Sequence, residues 1–401
     1  MGVVMSSLRS EKNLFLCLKT IIIVGLLQFS VLAEERQGLL INSGLSIISD
    51  SNITRTAEEV SDQYAIFSPQ LQFLSRVGQH HFIFDYQGDF AAYKDNTQYN
   101  FNNHDLKFSA LFDHSVRVNS EFTYGYQDRA EEPGSTSAAG TLNNEFNQLT
   151  SKFVLAELFY GTSASSGQLV FGLAHEQMRY TNNEQGFRDM DKTNFSSTFF
   201  YRMAPNTRLL LEASIGTNEY AQETQFADQS SDETLYLAGV EWDATAATTG
   251  TFKLGYQSRS YDDERLTNLS GLSYLVDMSW RPNTFSKLTI GASRLTNESA
   301  QQDIGGSINT GYSFTLEQDF TPRTSLNLLY QQDKSDFSRA QVSSAQNRTD
   351  KRKRFEVGLA HSVKPWLDIS LGYRHETRNS GEALFEFSLN TLELGITTNF
   401  K

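Results

Sequence analysis

The sequence predicts an all-β fold: a transmembrane, antiparallel, up-and-down β-barrel of about eighteen strands behind an N-terminal signal peptide. Three observations carry this. From about residue 38 onward, runs of roughly ten residues alternate apolar and polar side chains, as in Leu367-Asp368-Ile369-Ser370-Leu371-Gly372-Tyr373-Arg374. Such a strand is apolar on one face and hydrophilic on the other. The connections alternate strictly between tight and long, as in barrels with short periplasmic turns and long outer loops. No later segment offers a long continuous apolar run and the mean hydropathy is negative, which excludes helical spans.

Residues 1–33 read as a cleaved export signal. Arg9, Lys12 and Lys19 lead, Thr20–Leu27 opens the apolar stretch, and Val31-Leu32-Ala33 has the small-residue cleavage form. The other reading, a membrane anchor, meets an apolar stretch too short to span comfortably. Residues 34–401 form the barrel. The one cysteine, Cys17, lies in the signal, so the mature chain has no disulfide, Cys metal site or Cys nucleophile. Losing Arg9, Lys12, Lys19 and Glu11 takes the net charge from −13 to −15. That excess of acid argues against nucleic acid as a partner.

The strands follow in order. The first, 38–48, ends at Asp50-Ser51-Asn52, side chains suited to holding a turn through bonds to the backbone. Strands 63–74 and 80–93 turn around Val77-Gly78, and strands 104–113 and 116–128 around Asp113-His114-Ser115. Strands 147–161 and 167–180 come next, then 192–203 and 207–220 about Ala204-Pro205-Asn206. Strands 232–243 and 250–261 precede 269–280 and 285–296, which turn at Arg281-Pro282-Asn283. Strands 310–320 and 324–336 turn at Thr321-Pro322-Arg323, strands 353–363 and 366–378 at Lys364-Pro365-Trp366, and 385–400 ends the chain. Proline suits these turns because it cannot donate to a ladder. Sixteen strands is the competing count. An even count lets the last strand pair with the first, removes exposed edges, and puts both termini in the periplasm.

Alternation assigns the faces. Val116, Val118, Phe122, Tyr124 and Tyr126 point to lipid, against Arg117, Asn119, Glu121, Thr123 and Gln127 inward. Phe82, Phe84, Tyr86 and Phe90 oppose Asp85, Gln87 and Asp89; Tyr312, Phe314, Leu316 and Phe320 oppose Ser313, Thr315, Glu317 and Asp319. Trp242, Trp280, Trp366 and Tyr373 suit interfacial girdles. Leu392, Leu394, Ile396, Thr398 and Phe400 share one face, similar to the C-terminal signal read by the barrel-assembly machinery, with Lys401 as a departure. A phase slip near Asn390-Thr391 suggests a bulge.

A barrel of this size holds water. The expected pore-lining charges are Asp85, Asp89, Lys107, Arg117, Glu121, Arg202, Glu212, Glu241, Lys253, Asp277, Glu317, Asp368 and Arg374, with Glu157 and Lys287 beside them. Facing rows of opposite charge form either a selective constriction or a solvated, salt-bridged wall. The acid excess disfavours small anions, while hydroxyl-rich solutes suit the Asn, Gln, Ser and Tyr content. Tyr93 is a candidate to stack on a sugar ring. The two largest loops, around 130–146 and 337–352, are candidates to fold inward. The run Lys351-Arg352-Lys353-Arg354 forms an outer basic patch, either a solvated loop base touching lipopolysaccharide phosphates or a dock for an anionic polymer. HExxH and GxSxG are absent, so no catalytic residue, metal or cofactor is expected.

Ser49-Asp50-Ser51-Asn52-Ile53, with His80-His81-Phe82-Ile83-Phe84-Asp85-Tyr86 and Gly88-Asp89-Phe90, resembles the opening of a family of outer-membrane β-barrel porins. Ser49 stands where that family tends to have an aromatic residue. The resemblance covers nearly the whole mature chain. Such porins are associated with exopolysaccharide export gene clusters. The resemblance therefore implies an outer-membrane channel for an extracellular or capsular polysaccharide of a biofilm matrix, working with export components. The alternatives are a general or sugar-selective diffusion porin, and a barrel enzyme or adhesin.

Overall fold

Strict alternation of apolar and polar residues folds into one closed wall in the computed structural model, described for residues 37–400 apart from 136–144, 246, 342 and 344–346. The expected signal at 1–33, with Cys17, and Lys401 lie outside the described residues. Eighteen strands run in chain order: β1 (Gly38–Asp50), β2 (Asp62–Val77), β3 (His80–Tyr93), β4 (Phe101–Ser115), β5 (Val118–Ala130), β6 (Gln148–Tyr160), β7 (Gly167–Tyr180), β8 (Met190–Ala204), β9 (Thr207–Tyr220), β10 (Ser231–Thr245), β11 (Thr248–Tyr261), β12 (Leu269–Asn283), β13 (Ser286–Glu298), β14 (Ile304–Thr321), β15 (Thr324–Arg339), β16 (Thr349–Lys364), β17 (Leu367–Asn379) and β18 (Phe387–Phe400). Each pairs antiparallel with its chain neighbours, and β18 pairs with β1 from Phe400 opposite Ile41 to Thr391 opposite Asp50. Closure leaves no unpaired edge, which lipid does not hydrate.

The outward face is an apolar belt. Leu288, Leu316, Leu328, Val357, Tyr373 and Leu392 stand opposite one another across six strands. Their exposure in an isolated barrel would be a liability in water and suits hydrocarbon. Trp280 and Trp366 are exposed at the short-turn end, where a girdle belongs. Tyr373 instead sits midway along β17, its hydroxyl donating to Asn390 Oδ1 at 2.9 Å.

Several expected boundaries move. The β4–β5 turn is Val116-Arg117, not Asp113–Ser115, which carry a bulge between Asp113 and Ser115. Pro282 does not sit in the turn. It lies in β12, where the ladder to β13 shifts between Trp280 and Asn283, and Thr284-Phe285 turn instead. The second shift places the donor-less Pro282 in a bulge and leaves the turn to its neighbours. Pro69 sits inside β2, and the β2–β3 ladder skips Ser68 and Pro69. Ser68 Oγ donates to Asp89 at 2.6 Å across that gap. Gly78 (φ +64°) supplies the left-handed residue of the β2–β3 turn. Length alternation is not strict: residues 161–166 join β6 to β7, while only 299–303 join β13 to β14.

No bulge occurs at Asn390-Thr391. β18 pairs with β17 and with β1 in unbroken register. The slip is only apparent: Phe387 and Leu389 occupy inward positions yet are apolar, and both are buried. Apolar residues on a pore-facing register must be covered by something inside the barrel.

Candidate lumenal constriction

What covers them is the chain itself, at the long-loop end. The start of the connection from β5 to β6, residues 131–135, turns inward. Gly134 (φ +69°) packs so closely on the Phe387 ring and on Arg55 Cβ that any side chain there would collide. Arg378 of β17 donates to the carbonyls of Gly134 and Ser135 at 3.3 Å. The Glu132 carboxylate lies 4.0 Å from Arg55 and 3.9 Å from Arg374. Of this large loop, the described residues 131–135 fold into the lumen.

The Asp50-Ser51-Asn52 motif prepares that contact. Asn52 N–H donates to Asp50 Oδ1 at 2.8 Å, and the Asn52 side-chain amide donates to Thr56 O at 2.7 Å. The expected side-chain-held turn is therefore present. It carries Arg55 in a left-handed conformation (φ +54°) beside Asp50, 2.8 Å away. Burial opposes the Arg55 charge, but Asp50 and Glu132 raise its pKa above the ordinary arginine value.

The loop's first residue is tied from the far side. Arg188, in the β7–β8 connection, approaches Glu131 at 2.6 Å and stacks over the Tyr180 ring at 4.1 Å. Burial raises the Glu131 pKa, but Arg188, Asn147 and the Tyr180 hydroxyl outweigh it and hold the carboxyl below its usual range. Phe146, at the loop's end, stacks on Tyr99 at 4.8 Å and packs with Tyr93 and Ile53.

A second segment leans inward. The β12–β13 ladder stops at Tyr274 opposite Arg294, while β13 and β14 stay paired to Glu298 opposite Gly306. The freed hairpin crosses the inner face of β11: Thr296 N–H donates to Gln257 Oε1 at 3.0 Å. Glu298 then meets Arg259 of β11 at 3.1 Å and Lys192 of β8 at 2.8 Å. The Lys192 contact ties the folded-in hairpin to the wall three strands beyond β11. Arg339 pairs with Asp303 and Glu382 above it. Arg348 lies 3.7 Å over Phe385 and 4.1 Å over Phe337; burial pushes its pKa down to about 10 despite Asp350.

The residues expected to line the pore take the following places. Asp85 accepts from Gln72 at 2.6 Å and stands opposite Lys107. Asp89 accepts from Ser68. Glu121 stands opposite Glu157. Lys253 reaches past β10 to Glu212 at 2.6 Å, and Glu241 meets Arg208 at 2.7 Å. Glu317 pairs with Lys287 at 3.1 Å, Asp368 accepts from Asn399 at 3.0 Å, and Arg374 pairs with Glu356 at 2.9 Å. Asp277 is exposed on the same register. Two differ: Arg117 sits in the exposed β4–β5 turn, off the wall, and Arg202 caps the short-turn rim by donating to Ala164 O and Pro205 O. The charges are mostly paired along the wall rather than ranged as opposing rows.

Two further expectations are corrected. Lys351-Arg352-Lys353-Arg354 is not one outer patch, because the run is part of β16 and alternates. Arg352 and Arg354 point inward to Glu376, at 2.5 and 2.9 Å; Lys351 and Lys353 point outward. Tyr93 does face inward, but Tyr64 stacks on it at 4.4 Å and Tyr99 and Phe146 pack edge-on. Its faces are already covered.

A closed barrel with an apolar belt and a charged, narrowed lumen defines an outer-membrane channel. A family model described as "Putative beta-barrel porin 2" matches residues 42–400, and the chain belongs to that family: it is an outer-membrane β-barrel porin. Among solved structures it is similar to OccK2 (OpdF) of Pseudomonas aeruginosa in complex with glucuronate, at TM-score 0.52 and 11% identity over 91% of this chain and 100% of that one. It is also similar to OpdO of the same organism, at TM-score 0.50 and 14% identity over 90% and 97%. At these identities the likeness concerns the fold. A comparison with curated proteins finds no match.

Proposed function

We propose that this porin is a passive diffusion channel for small hydroxyl-rich solutes of sugar size, with its long loops outside the cell, its termini in the periplasm, and no catalytic chemistry. The carrying observation is the inward β5–β6 segment, where Glu132 lies between Arg55 and Arg374. Carboxylates and guanidiniums set side by side offer acceptors and donors together. A sugar's hydroxyls exchange hydrogen bonds with both, at little cost in desolvated charge. An unpaired basic or acidic ring would instead select strongly by charge. The glucuronate seen with OccK2 is a solute of this size carrying hydroxyls and a carboxylate. Polysaccharide export, implied by the earlier resemblance, fits less well: a polymer would have to thread past the Lys192–Glu298 bridge and the inward loop.

Liposome swelling tests this. Reconstituted protein should admit monosaccharides quickly, disaccharides more slowly, and longer oligosaccharides scarcely at all. Equal rates for mono- and hexasaccharides would sink the proposal and restore the export reading.

A further inference from the structure

The register of the outer wall brings together cations that the sequence scatters. Arg294 of β13 stands opposite Thr310 of β14, Thr310 opposite Lys334 of β15, and Lys334 opposite Lys351 of β16. Lys353 follows one outward position nearer the short turns, opposite Gln332. All lie on the lipid-facing register of the long-loop half. Lys334 and Lys351 are like charges directly across a strand pair, an arrangement that is unfavourable unless an anion sits between them. Lys334 meets Asp336 at 2.7 Å, and Arg294 donates to Thr310 Oγ1 at 3.0 Å. Asp336 is the one acid on this outward sector among the described residues, and Lys351 and Lys353 are exposed. Immediately below come Tyr312, Tyr330 and Phe355, the upper edge of the apolar belt. The outward rim of β8–β10 carries acids instead: Asp191 stands across from Glu219, with Asp232 on the next strand, and Arg179 of β7 pairs with Asp191 at 2.7 Å.

We propose that Arg294, Lys334, Lys351 and Lys353 form a docking site for the phosphorylated glucosamine headgroup of a lipopolysaccharide molecule in the outer leaflet. The phosphates would lie along the cationic row and the acyl chains against Tyr330 and Phe355. A free phosphate has nothing to gain from those rings, so the site is one for lipid. This rests on the long loops facing outward, which labelling of an S343C variant on intact cells reports separately.

The test is a native mass-spectrometry titration of the purified barrel in detergent with bisphosphorylated lipid A. Wild-type protein should retain about one lipid A, more weakly as salt rises. The K334Q/K351Q/K353Q variant should bind about tenfold or more weakly, while D191N/E219Q/D232N should bind as wild type. Heat-modifiable gel migration shows that each variant is a folded barrel. Equal retention of dephosphorylated lipid A, unchanged binding by the triple lysine variant, or displacement by equimolar inorganic phosphate would each overturn the site.

Discussion

In the short-turn half of the lumen, Lys287 meets Glu317 at 3.1 Å with their side chains 28% and 36% exposed. In the long-loop half, Arg259 meets Glu233 and Glu298 with all three side chains at 6% or less. The same alternation builds both walls; what differs is whether anything covers the inner face. Open ion pairs are screened and contribute about 0–1 kcal/mol. Sealed ones cannot lose a partner without stranding a buried charge, at about 3–5 kcal/mol. The short-turn half is therefore mostly tolerant wall, the covered Lys253–Glu212 pair excepted, and the long-loop half is a locked assembly of inward chain segments.

The largest break in this contrast should come from Glu298→Gln, which removes the buried carboxylate that Lys192 and Arg259 share. It should cost about 3–5 kcal/mol, read from the urea midpoint in detergent. Arg378→Ala should follow, at about 1.5–3 kcal/mol: it removes charge-assisted bonds to Asp350 and to the carbonyls of Gly134 and Ser135, but Asp350 keeps Arg348 at 3.0 Å and is not stranded. It should also raise single-channel conductance as the loop loosens. Glu132→Ala should cost under about 1 kcal/mol because that carboxylate is a third exposed, yet it too should raise conductance. Asp277→Ala, in the open half, should stay within about 0.5 kcal/mol of wild type.

pH sharpens the comparison from another side. Because Glu131 is held below its ordinary pKa, its pair with Arg188 contributes at neutral pH and is lost only as pH falls through the lowered value. The protection factors of the Glu131–Ser135 amides, each exchange rate taken relative to its intrinsic rate at that pH, should stay constant from about pH 8 down to the ordinary glutamate range and fall only below it. A fall in protection near pH 6 would show that the loop is held by something else.

The wall was legible in the sequence because a period of two is a local property. Leu367–Arg374 and Phe82–Phe90 each name their own faces, and the count of eighteen follows from the turns. The constriction was not legible, because it depends on contacts between residues far apart in the chain: Lys192 with Glu298, Arg378 with Gly134. One signal did exist. Phe387 and Leu389, like Leu235 and Leu237, are apolar on an inward register. In a water-filled barrel that is a contradiction unless a loop covers them, and at residue 390 it presents itself as a shift of phase. The basic run 351–354 shows the same lesson reversed: as a loop base it is one patch, and as a strand it is two.

The central claim is that the long-loop half alone sets the size limit. Neutral polymers of graded size, added to one side of a planar bilayer at a time, measure this most directly. Polymers entering from the short-turn side should penetrate and reduce conductance at larger sizes than those entering from the long-loop side, and Glu132→Ala should narrow the difference. An identical cut-off from both sides in the wild type would contradict the account.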